Sequence, residues 1–272
     1  MNTPSVYNFE FPSYRDNLSL NGYLFKRVQN YEQALGQLQH IDKYSDEFER
    51  TPNYGGHAIT AEVTIPTPEQ RSILKWGKQE VTHLDDVLLL LSLFTGRHVW
   101  QEKRDNVRIV ADHRKYQHDL QGLLIDIGFE TGINRVIQHM SDQKWIEKYR
   151  GGHYLFLADH AFRRQILETQ FSLCFTIWEH LFSIHNDSRL ERTAIHSIGG
   201  KKKVAFILKE YGIDVKGSPL LDKIIETRNR LIHFGMFPDD ESVKYSKEFI
   251  KITECLIGRT LGLFDGYSPS FV

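Results

Sequence analysis

The chain has 272 residues, of which 40% are hydrophobic, and its 34 Lys and Arg residues are balanced by 35 Asp and Glu residues. This length and apolar content are ample for one large domain or two smaller ones, each with a hydrophobic core. The net charge of -1 excludes a general electrostatic attraction to nucleic acid, membranes or acidic ligands, so any such attraction must come from local patches.

The sequence shows neither a membrane-spanning segment nor a secretion signal. The longest apolar run, residues 87–94, has the length of a core helix and falls short of the ~20 residues that span a bilayer. The first residues lack the basic and then apolar segments of a secretion signal. Cys174 and Cys255 lie in apolar helical segments without metal-ligand spacing, which favours core packing in a reducing compartment and argues against structural zinc. We therefore expect a cytoplasmic protein with no membrane partner.

The first half of the chain favours short strands with alternating hydrophobicity. Strands are predicted at residues 6–11, 21–28, 57–65 and 106–112. One helix is predicted at residues 83–96, where an acidic first turn precedes an apolar run and a glycine. These elements predict an α+β domain with an antiparallel sheet over residues 1–128.

The second half changes to helical periodicity. Helices are predicted within residues 132–149, 157–186, 201–212, 218–235 and 240–262. Ser218-Pro219 and Gly235 are typical of a helix start and a helix end. The sequence therefore predicts an all-α bundle over residues 129–272.

The predicted helix at residues 218–235 places a charged residue among apolar ones. At about 100° per residue, its apolar arc comprises Leu221, Ile224, Ile225, Leu231 and Ile232. Arg228 falls near the middle of that arc, where a guanidinium is costly unless its hydrogen bonds are accepted. Glu226, Asn229 and His233 form a polar line on an adjacent face.

This grouping of side chains suits a phosphodiester. Arg228 can offer a bidentate fork to a phosphate, Asn229 can orient a hydroxyl or phosphate oxygen, and His233 can move a proton near neutral pH. The residues also allow a structural interpretation, in which Arg228 pairs with a neighbouring carboxylate and His233 complements the dipole at the helix end.

Arg228-Asn229-x-x-x-His233 resembles the R-N-x-x-x-H form of the R-x(4-6)-H motif of HEPN domains, the "higher eukaryotes and prokaryotes nucleotide-binding" family. The resemblance covers roughly residues 129–272, because the motif lies late in a helical region and before one final helix. A β-containing module ahead of such a domain is similar to ApeA-like abortive-infection proteins.

The resemblance implies a metal-independent endoribonuclease that needs no cofactor and forms a homodimer with a composite cleft. His233 would be the general acid or base, Arg228 would stabilise the charged phosphorane, and Asn229 would orient the RNA. In related HEPN proteins an acidic residue on the long preceding helix faces the motif arginine, which implies Glu179 here. The alternative for Glu179 is that it only faces water.

Basic residues near the motif are candidates for contact with the RNA backbone. They are Lys201, Lys202, Lys203, Arg189, Arg192 and Arg230. Residues 199–203 lack the spacing of a P-loop, and the thirteen histidines lack metal-ligand spacing, so neither nucleotide hydrolysis nor a metal site is expected.

Three functions remain open from the sequence. The first is a HEPN-type endoribonuclease that cleaves RNA, with tRNA as one candidate, in bacterial antiphage defence or a toxin system, and whose residues 1–128 meet a protein or phage trigger. The second is a non-catalytic HEPN module for dimerisation and nucleic-acid binding that serves another effector. The third is a regulator similar to an antitoxin or a nucleotidyl-transferase partner.

Overall fold

The protein folds into two compact units, Met1–Asp142 and Gln143–Val272. The computed structural model describes residues 3–12, 15–43, 58–66, 68, 70–74, 81–101, 128–162, 166–187, 192–214 and 218–263. The first unit contains an antiparallel sheet and the second is helical, so the predicted α+β class is confirmed.

The sheet of the first unit has five strands in the order β2-β3-β4-β1-β5. The strands are β1 (Ser5–Tyr7), β2 (Asn17–Leu20), β3 (Tyr23–Arg27), β4 (Ile59–Thr64) and β5 (Trp100–Gln101). All neighbouring strands pair antiparallel. The predicted strand at residues 106–112 lies outside the described residues.

A tight hairpin joins β2 and β3, and β2 was not predicted. Asn21 and Gly22 form its turn with φ values of 47° and 86°, and this pair of positive angles fits a type I′ turn. Leu18 and Leu20 are buried on one face of the strand, whereas Ser19 points the other way. The predicted strand at residues 21–28 therefore begins two residues later, after the turn.

Among the described residues of the first unit, two helices lie between these strands along the chain, and a third follows them. The helix at residues 83–96 is confirmed as α2 (His83–Thr95), which starts with a capping box between Thr82 and Asp85 and ends at Gly96. Helix α1 (Tyr31–Lys43) was not predicted, because polar side chains separate its few buried residues, such as Ala34 and Leu38.

Helix α3 (Phe129–Met140) belongs to the first unit, although its periodicity had grouped it with the helical bundle. Glu130 Oε1 accepts the Ser19 N–H at 3.1 Å, and Asn134 Oδ1 accepts the Asn21 N–H at 2.8 Å. Asn134 Nδ2 also donates to the Ser19 carbonyl at 3.1 Å. Side chains of α3 thus satisfy the backbone at the open edge of β2.

The second unit is built around one long helix, α6. Its elements are α4 (Gln143–Tyr149), α5 (Gly151–Phe162), α6 (Leu167–Asn186), α7 (Arg192–Ser197), α8 (Gly200–Glu210), α9 (Ser218–Phe234) and α10 (Asp240–Thr260). Helix α6 packs against α5, α8 and α10, and α9 packs against α8 and α10. Trp178 at the centre of α6 is buried and donates to Thr253 Oγ1 at 2.8 Å.

The predicted continuous helix at residues 157–186 is wrong, because α5 ends at Phe162 and Ile166 has an extended backbone with φ -84° and ψ 115°. The predicted final helix is confirmed, and Asp239 caps it by accepting the Ser242 N–H. Within the described residues, no helix combines the length and the apolar content that crossing a bilayer requires.

Burial lowers the pKa of His180 on α6, and His153 and Arg150 act in the same direction. The hydrogen bond between its Nε2 and the Tyr149 carbonyl oxygen, 3.1 Å long, opposes this shift only in part. The unfolded chain therefore binds this proton more readily than the folded protein does. We expect the free energy of unfolding to fall as the pH is lowered below 6.5, the ordinary pKa of histidine. Urea unfolding at several pH values measures this slope, which His180→Gln should flatten. An unchanged slope in that variant would contradict the assignment.

Candidate functional site

Helix α9 carries the motif residues, and its apolar stripe explains its position on the bundle. Ile224, Thr227 and Leu231 are buried and face α8 and α10. Gly235 ends the helix with φ 73°, a backbone angle that glycine adopts without strain, and its N–H donates to the Leu231 carbonyl at 2.8 Å. The helix end near His233 is therefore fixed by its own backbone.

Arg228 lies at the margin of the buried stripe. Its side chain is 33% exposed, and its Nη2 is 3.7 Å from Glu179 Oε1 on α6. Its guanidinium carbon lies 5.4 Å from the centre of the Phe175 ring. This arrangement combines cation–π contact on the ring with access to water, so the charge is not buried in the core.

Glu179 contacts a second cation. Lys203 Nζ on α8 is 3.6 Å from the same Oε1 atom, and the lysine side chain is only 11% exposed. Lys203 Nζ also lies 6.0 Å from the centre of the Phe182 ring. We call Lys203, Glu179 and Arg228 the ion trio; together its two cations and one carboxylate carry one net positive charge.

The exposed residues Asn229 and His233 complete the motif. At about 100° per residue, the Cβ atoms of Arg228 and His233 are separated by about 140° around the helix, with Asn229 between them. Within one chain, the arginine and the histidine therefore leave the helix in diverging directions.

Three large apolar side chains are exposed at the end of α9, and sequence reasoning missed them as a surface. Ile232, Phe234 and Met236 are 62%, 68% and 61% exposed. Ile232 had been placed in the packed apolar arc, which is wrong because the buried stripe centres on Leu231 and leaves it in water. Phe237 anchors the next residues, with its ring 5.5 Å from that of Phe171.

The structure gives the predicted RNA-binding residues different environments. Lys202 is exposed, and Lys201 pairs with Asp222. Arg230 is held by two carboxylates, Glu226 at 2.7 Å and Asp239 at 2.5 Å. Hydrogen bonds from Ser242, together with Arg230, lower the pKa of Asp239 from its ordinary value of 3.8, so this carboxylate stays ionised beside Arg230 to more acidic pH. Arg189 and the side chain of Arg192 lie outside the described part of the chain.

The structure thus brings together Arg228, Glu179 and Lys203. Asn229 and His233 are exposed on the same helix as Arg228, and His233 diverges from it. Phe175 was not predicted as part of the site, although it precedes Glu179 by one helical turn and so shares its face of α6. Among the described residues, no group of three His, Cys, Asp or Glu side chains is arranged to hold a metal ion.

No known protein family, curated protein or solved structure matches this chain.

Proposed function

We propose that this protein is a cytoplasmic, metal-independent endoribonuclease of the HEPN type that acts in bacterial antiphage defence or as a toxin. The observation that carries the proposal is the accessible motif on α9, where Arg228 stacks on Phe175 beside Glu179 while Asn229 and His233 face water.

The chemistry follows from the residue types. The 2'-hydroxyl oxygen of RNA attacks the neighbouring phosphorus, and the bond from phosphorus to the 5'-oxygen breaks. His233 is suited to the proton transfers, since its imidazole is exposed to an incoming substrate. Arg228 stabilises the charge that develops on the phosphoryl oxygens, and Asn229 orients the RNA. The products are a 2',3'-cyclic phosphate and a 5'-hydroxyl.

A homodimer is part of this proposal. Because Arg228 and His233 diverge on one chain, we infer that a second copy supplies the opposing residue to each site. The exposed Ile232, Phe234 and Met236 adjoin the motif and offer apolar surface for such a contact. Residues 1–128 are assigned the role of meeting a protein or phage trigger.

The test is cleavage of total tRNA and of unstructured single-stranded RNA by the purified protein in EDTA. We expect fragments whose 5'-hydroxyl ends accept phosphate from a polynucleotide kinase without prior phosphatase treatment. Their 3' ends should resist a ligase that requires a 3'-hydroxyl until the cyclic phosphate is opened and the resulting phosphate is removed. Cleavage that needs a divalent metal, or that leaves 5'-phosphate ends, would contradict the proposed mechanism.

The same apolar surface also favours the second candidate, a non-catalytic dimerisation and RNA-binding adaptor. Such an adaptor would bind RNA through the positive charge of the ion trio and leave it intact. Retention of RNA without any cleavage, with and without phage lysate as a source of trigger, would favour this candidate.

A further inference from the structure

The ion trio has an unusual geometry, because a single carboxylate oxygen serves two cations at long range. Glu179 Oε1 is 3.6 Å from Lys203 Nζ and 3.7 Å from Arg228 Nη2. Charge-assisted hydrogen bonds between such groups are normally about 2.7–2.9 Å long. The carboxylate therefore lies between its two partners and closes on neither.

The two cations differ in their access to water. Lys203 is 11% exposed, whereas Arg228 is 33% exposed. A poorly solvated ammonium needs a counter-charge more than a guanidinium that water still reaches. We therefore expect Glu179 to be retained by Lys203, on the α8 side of the trio.

Arg228 consequently keeps most of its hydrogen-bonding capacity. A guanidinium has five N–H donors, and Glu179 approaches it at Nη2. Within the described residues, no side chain or carbonyl accepts a hydrogen bond from Arg228 at normal length. Among the described residues, Lys203 and Arg228 are the two cations within ion-pair distance of Glu179. Without Lys203, Glu179 would close onto Arg228 as a short pair, which would occupy the fork and cancel its charge.

We propose that Lys203 is a positioning residue, which holds Glu179 back so that the Arg228 fork stays open for an RNA phosphate. The RNA part of this inference rests on the proposed function, whereas the state of the Arg228 fork can be measured without RNA. This role differs from the backbone contact predicted for Lys203, because its side chain is only 11% exposed and its Nζ lies 3.6 Å from Glu179.

The first measurement follows the reaction of Arg228 with phenylglyoxal, an arginine-selective reagent, by peptide mass spectrometry of the full-length protein. Lys203→Met should slow modification of Arg228 roughly tenfold, as expected for one added charged hydrogen bond. Adding Glu179→Gln should restore the rate, and Lys203→Arg should keep it. Arg230, held by Glu226 and Asp239, is the internal reference and should not change.

The second measurement repeats these four proteins, together with Glu179→Gln alone, in the RNA cleavage assay. Lys203→Met should lower kcat/KM roughly tenfold, and the double variant with Glu179→Gln should recover to the level of Glu179→Gln alone. Two results with phenylglyoxal would overturn the inference. One is an unchanged rate of Arg228 modification in Lys203→Met, and the other is a slowed rate that Glu179→Gln fails to restore. If the wild-type protein does not cut RNA, the proposed function fails, and the phenylglyoxal cycle still decides the role of Lys203.

Discussion

His233→Ala is expected to lower the rate of RNA cleavage by about 10²–10⁴-fold, which is the usual contribution of a general acid or base. The imidazole is exposed at the end of α9, and the buried Ile224 and Leu231 hold that helix on the bundle. Removal of the imidazole should therefore not disturb the fold. Cleavage of single-stranded RNA measured at a single enzyme concentration, for both proteins in parallel, gives the ratio directly.

A matched control separates this loss from damage to the surface. His139→Ala removes another exposed histidine, which lies on α3 in the first unit and outside the motif, and should leave the cleavage rate unchanged. The thermal unfolding midpoint of His233→Ala should equal that of the wild type, and its mass by light scattering should be unchanged. A cleavage rate in His233→Ala that is close to the wild-type rate would contradict a role of the histidine in the mechanism.

The sequence predicts the later helices well because their signals are local. Helix α9 has both an apolar stripe and a terminal glycine, and α10 has the Asp239 cap. Residues close in sequence to the helix ends therefore determine where these helices start or stop. Strand β2 escaped prediction because only four residues carry its alternation. Periodicity in α3 likewise identifies a buried stripe and leaves open which unit buries it.

The site was only partly predictable for the same physical reason. The motif on α9 is contiguous in sequence, and its polar and apolar faces follow from helical geometry. The ion trio depends on how α6, α8 and α9 pack together, and side chains far apart in sequence meet only after folding. The exposure of Ile232 was missed because the buried stripe is narrower than the predicted arc and centres on Leu231.

The divergence of Arg228 and His233 makes mixed dimers the sharpest test of a shared site. We expect His233→Ala and Arg228→Gln homodimers to be inactive, since each removes one half of both composite sites. In a dimer with one chain of each kind, one site combines the intact Arg228 of the first chain with the intact His233 of the second. Cleavage should therefore reappear when the two variants are co-expressed with different tags and purified through both.

Recovery of activity in the mixed dimer has a single explanation, whereas inactivity of the Arg228→Gln homodimer has two. Loss of the guanidinium removes the ring contact with Phe175 and the ion pair with Glu179, so inactivity of that variant could reflect altered packing of α9. Recovered activity in the mixed dimer cannot arise from damaged packing, because both chains keep their substitutions. Persistent inactivity of a mixed dimer of normal mass, in which Arg228→Gln also keeps the wild-type unfolding midpoint, would contradict a site shared between two chains.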